Sequence, residues 1–334
     1  MIEVIPGVYQ LPLPLPNHVS PGYINVYLVR GRDSCLLVDT GWNTDEAFNC
    51  LEQGLTQIGV GFRDIKKIVV THIHPDHYGL VGKLKELSGA KLALHRRERD
   101  LIESRYINMD GLLKELEHFL HINGVVIEEL PQLQQASAKM TKFIAPAPSD
   151  ITLKGGEILN FEPVSFKVLW TPGHSPGHIC LYEPEKELLI SGDHILPDIT
   201  PNVGLHPQSS PSPLDDYMKA LDKVAKLKIS FVLPGHGDVF TNPKARIEEL
   251  ASHHECRNAE ILEILKAKPK TAYHVANSLT WGGENNHARY QDFNSWNKRL
   301  AVLETLAHLE LLLTRGAISK HHREDATYYK SNSN

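Results

Sequence analysis

The amino-acid sequence predicts an α/β protein with a helical insertion and a small helical module at its C-terminal end. Short β-branched and apolar runs alternate with helical spacings before residue 96 and again between residues 150 and 245. Residues 96–149 and the residues after 245 show helical spacings alone. Because 334 residues correspond to about two domains, we expect a body over residues 1–245, with its insertion at 96–149, and a second domain over residues 246–334.

The body is predicted from its runs of apolar residues and the turns between them. Gly31 and Asp33 separate two such runs as in a hairpin, and Asp39 to Gly41 closes a strand. Strands are predicted at residues 8–11, 24–29, 35–38, 65–70 and 91–94, and then at 151–153, 166–169, 179–182, 188–191 and 231–233. Helices are predicted at residues 44–58, 80–87 and 215–227.

The insertion and the C-terminal module read as helical. In the insertion, Leu112, Leu116, Phe119 and Leu120 form an apolar stripe, which predicts packing into a core rather than the lining of a pocket. Helices are predicted at residues 246–265, 272–279 and 295–313, followed by a polar tail from Lys320.

Composition excludes several classes of protein. The chain has a net charge of -5, which gives no overall attraction for nucleic acid or an anionic membrane. No apolar run reaches the ~20 residues that cross a bilayer, and Met1-Ile2-Glu3 does not resemble a signal peptide. Four scattered cysteines indicate reduced thiols, so we expect a cytoplasmic protein. Its 19 histidines are unusually many and suggest metal binding.

One short segment carries several side chains that can bind a metal. His72, His74, Asp76 and His77 follow the predicted strand at residues 65–70 and precede a helix. Imidazole and carboxylate groups suit zinc, iron or manganese. Four such groups within six residues can serve two metal ions at once.

Three later turns repeat this arrangement of strand, glycine and candidate ligand. Residues 171–178 read Thr-Pro-Gly-His-Ser-Pro-Gly-His and contain His174 and His178. Asp193 follows Gly192, and His236 follows Gly235. Taken together with the first segment, these turns predict one site built from four parts of the chain.

Over about residues 1–245, these four motifs and their order resemble the metallo-β-lactamase superfamily. The resemblance implies a four-layer αββα sandwich with one dinuclear metal site at its edge. The C-terminal module resembles the winged-helix appendage of the lactamase-β-2-like and hydroxyacylglutathione-hydrolase-like branch. The implied ligands are His72, His74 and His174 for the first metal, Asp76, His77 and His236 for the second, and Asp193 as the bridge.

The implied reaction is hydrolysis at a carbonyl group of a small molecule. Two divalent ions, with zinc favoured over iron or manganese, would hold a bridging hydroxide that attacks the carbonyl. Asp76 would orient this hydroxide as well as bind a metal, and Asp193 would bridge the ions. Asp39 and His178 are expected to support the ligands from outside. The predicted substrate is a thioester, ester or lactone, as in glyoxalase II, acyl thioesterases and lactonases.

The resemblance also allows other activities, and the sequence bears on each of them. A secreted β-lactamase would carry an export signal, and its commonest subclass has cysteine where this chain has Asp193. An endoribonuclease or other phosphodiesterase is an alternative, although residues 257–330 have only slightly more basic than acidic side chains. A persulfide dioxygenase with one iron has nearly the same motif and is a further alternative. For the C-terminal module, support of the insertion or formation of a homodimer is expected rather than binding of nucleic acid.

Overall fold

Two β-sheets pack face to face in the computed structural model, which describes residues 1–16, 22–282 and 288–332. The seven strands of the first sheet follow chain order; the first three pairs are antiparallel and the last three parallel. These strands are β1 (Ile2–Ile5), β2 (Val8–Pro14), β3 (Tyr23–Arg30), β4 (Cys35–Val38), β5 (Ile65–Val69), β6 (Lys91–His95) and β7 (Ile151–Leu153).

The second sheet has five strands in the order β12-β11-β10-β9-β8. They are β8 (Ile158–Phe161), β9 (Val164–Trp170), β10 (Ile179–Glu183), β11 (Leu188–Gly192) and β12 (Phe231–Pro234). Only β11 and β12 are parallel. Fully buried side chains such as Val69, Phe166 and Ile190 fill the space between the two sheets. Burial of this apolar surface is the main force that holds the sheets together.

Helices cover the outer faces of both sheets, so the layers run helix, sheet, sheet, helix as expected. Leu51 and Leu84 pack on the first sheet, and Tyr217 and Leu250 on the second. The helices are α1 (Asp45–Gln57), α2 (Pro75–Tyr78), α3 (Val81–Ser88), α4 (Arg96–Arg99), α5 (Asp110–Ile122), α6 (Leu130–Ala138), α7 (Pro213–Ala225), α8 (Pro243–Lys266), α9 (Ala272–Ser278) and α10 (Ser295–Thr314). Turns of 3₁₀-helix lie at Phe62–Asp64, Thr141–Phe143 and Tyr290–Asp292, and a π-helical turn lies at Glu103–Ile107.

The insertion and the C-terminal helices share one apolar core. Leu116 and Leu120 of α5 pack with Ile261 of α8 and with Val302 and Leu306 of α10. Phe119 packs against the same core, so three of the four residues of the stripe belong to a core as predicted. The division into domains at residue 245 stays a prediction.

The prediction of an all-helical segment ending in a polar tail is wrong. Residues after α10 form an antiparallel hairpin of β15 (Ile318–Arg323) and β16 (Ala326–Ser331), and β13 (Thr280–Trp281) pairs with β14 (Ala288–Arg289). The sequence did not predict the hairpin because few of its side chains are buried. The buried side chains are chiefly Ile318 and Tyr329. The strands β1 and β8 were not predicted either: β1 has no buried side chain, and β8 buries only Leu159 and Phe161. Among the described residues, no helix is long and apolar enough to cross a membrane.

Candidate metal centre

All four predicted ligand segments meet at one edge of the two sheets. His72 and His74 lie in the loop after β5, and α2 continues directly from it with Pro75 as its first residue. Proline is favoured there because the first helical residue needs no backbone N–H partner. The remaining segments follow β9, β11 and β12 and bring in His174, Asp193 and His236.

Three histidines form the first group. The Nε2 atom of His72 lies 2.9 Å from Nδ1 of His74 and 3.2 Å from Nε2 of His174. The third side of this triangle, from His174 Nε2 to His74 Nδ1, measures 3.0 Å. A tetrahedral zinc ion with nitrogen ligands at about 2.0–2.1 Å holds them roughly 3.3 Å apart. The three nitrogens are therefore already spaced much as a metal ion requires.

A second group lies beside the first and shares one aspartate with it. His236 Nε2 is 3.1 Å from Asp76 Oδ2, and His77 Nε2 is 3.8 Å from the same oxygen. Asp193 stands between the groups: its Oδ1 lies 3.3 Å from His77 Nε2, and its Oδ2 lies 3.6 Å from His174 Nε2 and 3.7 Å from His236 Nε2. The structure thus brings together all seven side chains predicted as ligands, in sets that could each hold a metal ion.

Asp39 orients one of these histidines. Its Oδ2 accepts a hydrogen bond of 2.8 Å from His77 Nδ1, which directs His77 Nε2 towards Asp193. The other oxygen, Oδ1, accepts the backbone N–H of Thr71 at 2.7 Å. Asp39 has a backbone φ of 64°, in the left-handed region that aspartate and asparagine tolerate better than most residues. Its place outside the metal groups agrees with the predicted supporting position.

Two further histidines are oriented by backbone carbonyl groups. His174 Nδ1 donates to the carbonyl oxygen of Asn202 at 2.7 Å, and His236 Nδ1 donates to that of Tyr23 at 2.8 Å. In each ring, the bonded Nδ1–H leaves Nε2 as the unprotonated atom that faces the site.

His178 supports the backbone of the shared aspartate rather than another imidazole. Its Nε2 accepts the backbone N–H of Asp193 at 3.1 Å, and its Nδ1 lies 2.9 Å from the Thr171 hydroxyl. Gly192, with a φ of 49°, makes the turn just before Asp193. A side chain at Gly192 would meet both His178 and Thr71, so the close approach requires glycine.

The pKa values of the first group favour neutral imidazoles. Burial, reinforced by neighbouring histidines, lowers the pKa of both His72 and His74 well below the usual value. Burial also lowers the pKa of His174. Because a metal binds the unprotonated nitrogen, these rings are ready to act as ligands at neutral pH.

The second group attracts positive charge. Burial alone would lower the pKa of His77, but the carboxylates of Asp193, Asp39 and Asp76 raise it well above the usual value. For Asp193, burial acts to raise the pKa, but His77 and His236 outweigh it and hold the pKa well below its usual range. Within the described part of the chain, His77 Nε2 and Asp193 Oδ1 are buried without a hydrogen-bond partner. This donor set fits a divalent cation.

A buried carboxylate that the sequence did not reveal joins two of the ligand loops. Glu98 in α4 is fully buried, and its Oε2 accepts the backbone N–H of Ile73 at 2.9 Å. Its Oε1 accepts the backbone N–H of Gly177 at 2.7 Å and the hydroxyl of Ser175. Glu98 lies in a charged stretch of ordinary appearance, so nothing in the sequence marked it.

The loop that carries His236 is held by polar side chains of β3. Asn25 donates through Nδ2 to the carbonyl groups of Pro234 and Gly237, at 3.0 and 2.7 Å. The hydroxyl of Tyr27 donates to Pro234 O at 2.7 Å. An asparagine inside an otherwise apolar strand was the one sequence signal for this role.

Comparison with known proteins agrees with this architecture. The family model of the metallo-beta-lactamase superfamily matches residues 19–236. The chain is 27% identical over 327 residues to the probable metallo-hydrolase YqjP of Bacillus subtilis, covering 95% of this chain and 96% of that protein. It is 27% identical over 243 residues to the human acyl-coenzyme A thioesterase MBLAC2, covering 69% and 78%.

A solved structure extends the similarity to the whole chain. The metallo-beta-lactamase family protein TTHA1429 from Thermus thermophilus superposes with a TM-score of 0.85 at 31% sequence identity. The match covers 99% of this chain and 100% of that protein, so it includes the C-terminal helices. The chain belongs to the metallo-beta-lactamase superfamily of metal-dependent hydrolases.

Proposed function

We propose that this protein hydrolyses thioesters of small molecules with two divalent metal ions, and that esters and lactones are its further substrates. The observation that carries the proposal is the pair of adjacent ligand groups with Asp193 between them. Imidazole and carboxylate ligands of this kind suit zinc best, and iron and manganese are the alternatives.

Each ligand takes the role that its position supports. His72, His74 and His174 hold one ion, because their three nitrogens converge within 3.2 Å of one another. Asp193 has oxygens within reach of both groups and serves as the bridge. The ligands of the second ion are Asp76, His77 and His236.

When bound, the two ions supply Lewis acidity and lower the pKa of water, so that water can attack a carbonyl carbon near neutral pH. The contacts of Asp76 with His77 and His236 both use Oδ2. We assign Oδ1 of Asp76 the task of accepting a hydrogen bond from the attacking water and so orienting it. Burial acts to raise the pKa of Asp76, but His77 and His236 outweigh it and keep the pKa below its usual value, so the group stays an acceptor.

The nearby hydroxyl and thiol groups are engaged elsewhere, which supports water as the nucleophile. Ser175 follows His174 directly, but it is fully buried and its hydroxyl donates to Glu98. Cys180 is also fully buried, and burial raises the pKa of its thiol to about 12. A thiol with such a pKa is scarcely ionised at neutral pH and is a poor nucleophile.

The thioester class is supported by the similarity to the human acyl-coenzyme A thioesterase. The insertion places Arg105 and Tyr106 beside the first group: the Tyr106 hydroxyl donates to the carbonyl of Ile73, and the charge of Arg105 contributes to the low pKa of His74. Leu116 and Leu120 of α5 pack in the core and do not contribute to the site.

The test is turnover of a panel of acyl thioesters, aryl esters, lactones and phosphodiesters by protein loaded with zinc, manganese or iron. We expect thioesters to be cleaved fastest by the zinc form. Asp193→Ala should abolish turnover, whereas Asp215→Asn, at a carboxylate of α7 bonded to Lys219, should leave it unchanged. Faster cleavage of phosphodiesters, or full activity with one iron per chain, would contradict the proposal.

One further feature of the protein is also a proposal. We propose a cytoplasmic location, supported by the four cysteines, which are all free thiols in the structure. The homodimer and the winged-helix character of the C-terminal segment stay predictions.

A further inference from the structure

The C-terminal helices hold the loop that follows Asp193. Arg246 of α8 donates from its guanidinium group to the carbonyl oxygens of Leu196 and Ile199, at 2.7 and 2.8 Å. The backbone N–H of Leu205 donates to Leu303 O of α10 at 2.9 Å. The start of the loop is therefore bonded to α8, and the end of the loop is bonded to α10.

A chain of two hydrogen bonds runs from α10 to the first ligand group. Glu304 Oε2 accepts a hydrogen bond of 2.8 Å from Asn202 Nδ2. The backbone carbonyl of the same Asn202 accepts the Nδ1–H of His174 at 2.7 Å. Asn202 thus links a carboxylate of the C-terminal segment to a predicted metal ligand more than a hundred residues away in sequence.

We propose that Glu304 is a positioning residue of the metal centre, which acts through Asn202 to fix the ring of His174. This inference rests on the proposed function, since it concerns the same site. It gives the C-terminal segment a defined role: its helix α10 completes the support of the first metal group.

The physical argument concerns the freedom of Asn202. Fixing its side chain to α10 fixes the peptide that carries its carbonyl oxygen, and this oxygen sets both the tautomer and the ring angle of His174. Without the acceptor on Glu304, the amide of Asn202 would turn to solvent and the loop would move. A carboxylate, a carboxylic acid or an amide oxygen can each accept this hydrogen bond, so glutamine should replace Glu304.

The test uses the metal-stripped full-length protein titrated with Co²⁺, read by its visible absorption spectrum and by competition with a chelator. Glu304→Ala should weaken binding of one Co²⁺ about tenfold and change its absorption band, because supporting residues typically contribute 10–100-fold to metal affinity. Glu304→Gln should restore both readouts. Glu310→Ala is the matched control, since Glu310 lies on the same helix but bonds Lys320 at 2.9 Å.

A second comparison tests whether Glu304 and Asn202 act through the same chain of hydrogen bonds. Asn202→Ala should weaken Co²⁺ binding as Glu304→Ala does, and the double variant should be no weaker than either single one, because both changes break the same chain. Additive losses, a wild-type spectrum in Glu304→Ala, or failure of Glu304→Gln to restore binding would each overturn the inference alone. Failure of the wild-type protein to bind two Co²⁺ ions would overturn the proposed function with it.

Discussion

The hydrogen bond from His77 to Asp39 allows the metal centre to be tested from outside its ligand set. Asp39→Asn keeps the size of the side chain and tolerates the left-handed backbone at this position. It also keeps one oxygen for the backbone N–H of Thr71. The oxygen that accepts from His77 Nδ1 at 2.8 Å becomes an NH₂ group. The bond that sets the tautomer of His77 is therefore reversed, while the Thr71 hydroxyl, which lies 3.0 Å from the same oxygen, keeps Oδ1 as an acceptor at 3.1 Å.

The expected magnitude follows from that reversal. Either two donors face each other in a buried place, which costs about 1–3 kcal/mol, or His77 moves its proton to Nε2, the atom that faces Asp193 at 3.3 Å. A protonated Nε2 cannot bind a metal. Loss of such a support typically weakens metal binding 10–100-fold, or about 1.4–2.8 kcal/mol. Both estimates agree, so we expect this loss for one of the two ions.

The assay is chelator competition on the zinc-loaded protein, with circular dichroism as the check on folding. Asp215→Asn makes the same chemical change at a carboxylate that bonds Lys219 on α7, and it should leave zinc affinity unchanged. If Asp39→Asn binds both zinc ions as tightly as the wild-type protein, Asp39 does not set the state of His77 and our reasoning is refuted.

Two further predictions concern stability. Glu98→Gln replaces one acceptor by a donor against the backbone N–H of Ile73 or Gly177, so the free energy of unfolding in urea should fall by about 1–3 kcal/mol; an unchanged value would mean that Glu98 does not join the two loops. His254 packs against His308 and is almost fully buried, and burial lowers its pKa to about 3. The unfolded chain binds this proton near pH 6.5, so stability is complete above that pH and decreases as the pH falls towards 3. His254→Gln should flatten this decrease by up to about 1.4 kcal/mol per pH unit, and equal slopes for the two proteins would contradict the assignment.

The parts of the fold that could be predicted are those with a local signal. Buried strands such as Cys35–Val38 and Leu188–Gly192 lie within one residue of the predicted bounds, because a run of buried apolar residues between turns is visible in the sequence. The seven ligand candidates converge as predicted because each follows a strand whose neighbours are fixed by the fold. The edge strand β1, which has no buried side chain, and the exposed hairpin lack such a signal.

The supporting contacts could not be predicted, because they join distant parts of the chain. Glu98 reaches Gly177 across 79 residues, and Glu304 reaches Asn202 across 102. Neither glutamate lies in a motif, and only packing of the insertion and of α10 against the body brings them to the ligand loops. Asp39 and His178 are the exceptions, since both were predicted to support the ligands.

The most direct test of the central claim is a crystal structure of the protein grown with Zn²⁺, with the ions located by anomalous scattering. We predict two peaks, one among His72, His74 and His174 and the other among Asp76, His77 and His236, with Asp193 bound to both. A single peak, or peaks away from these side chains, would contradict a dinuclear centre.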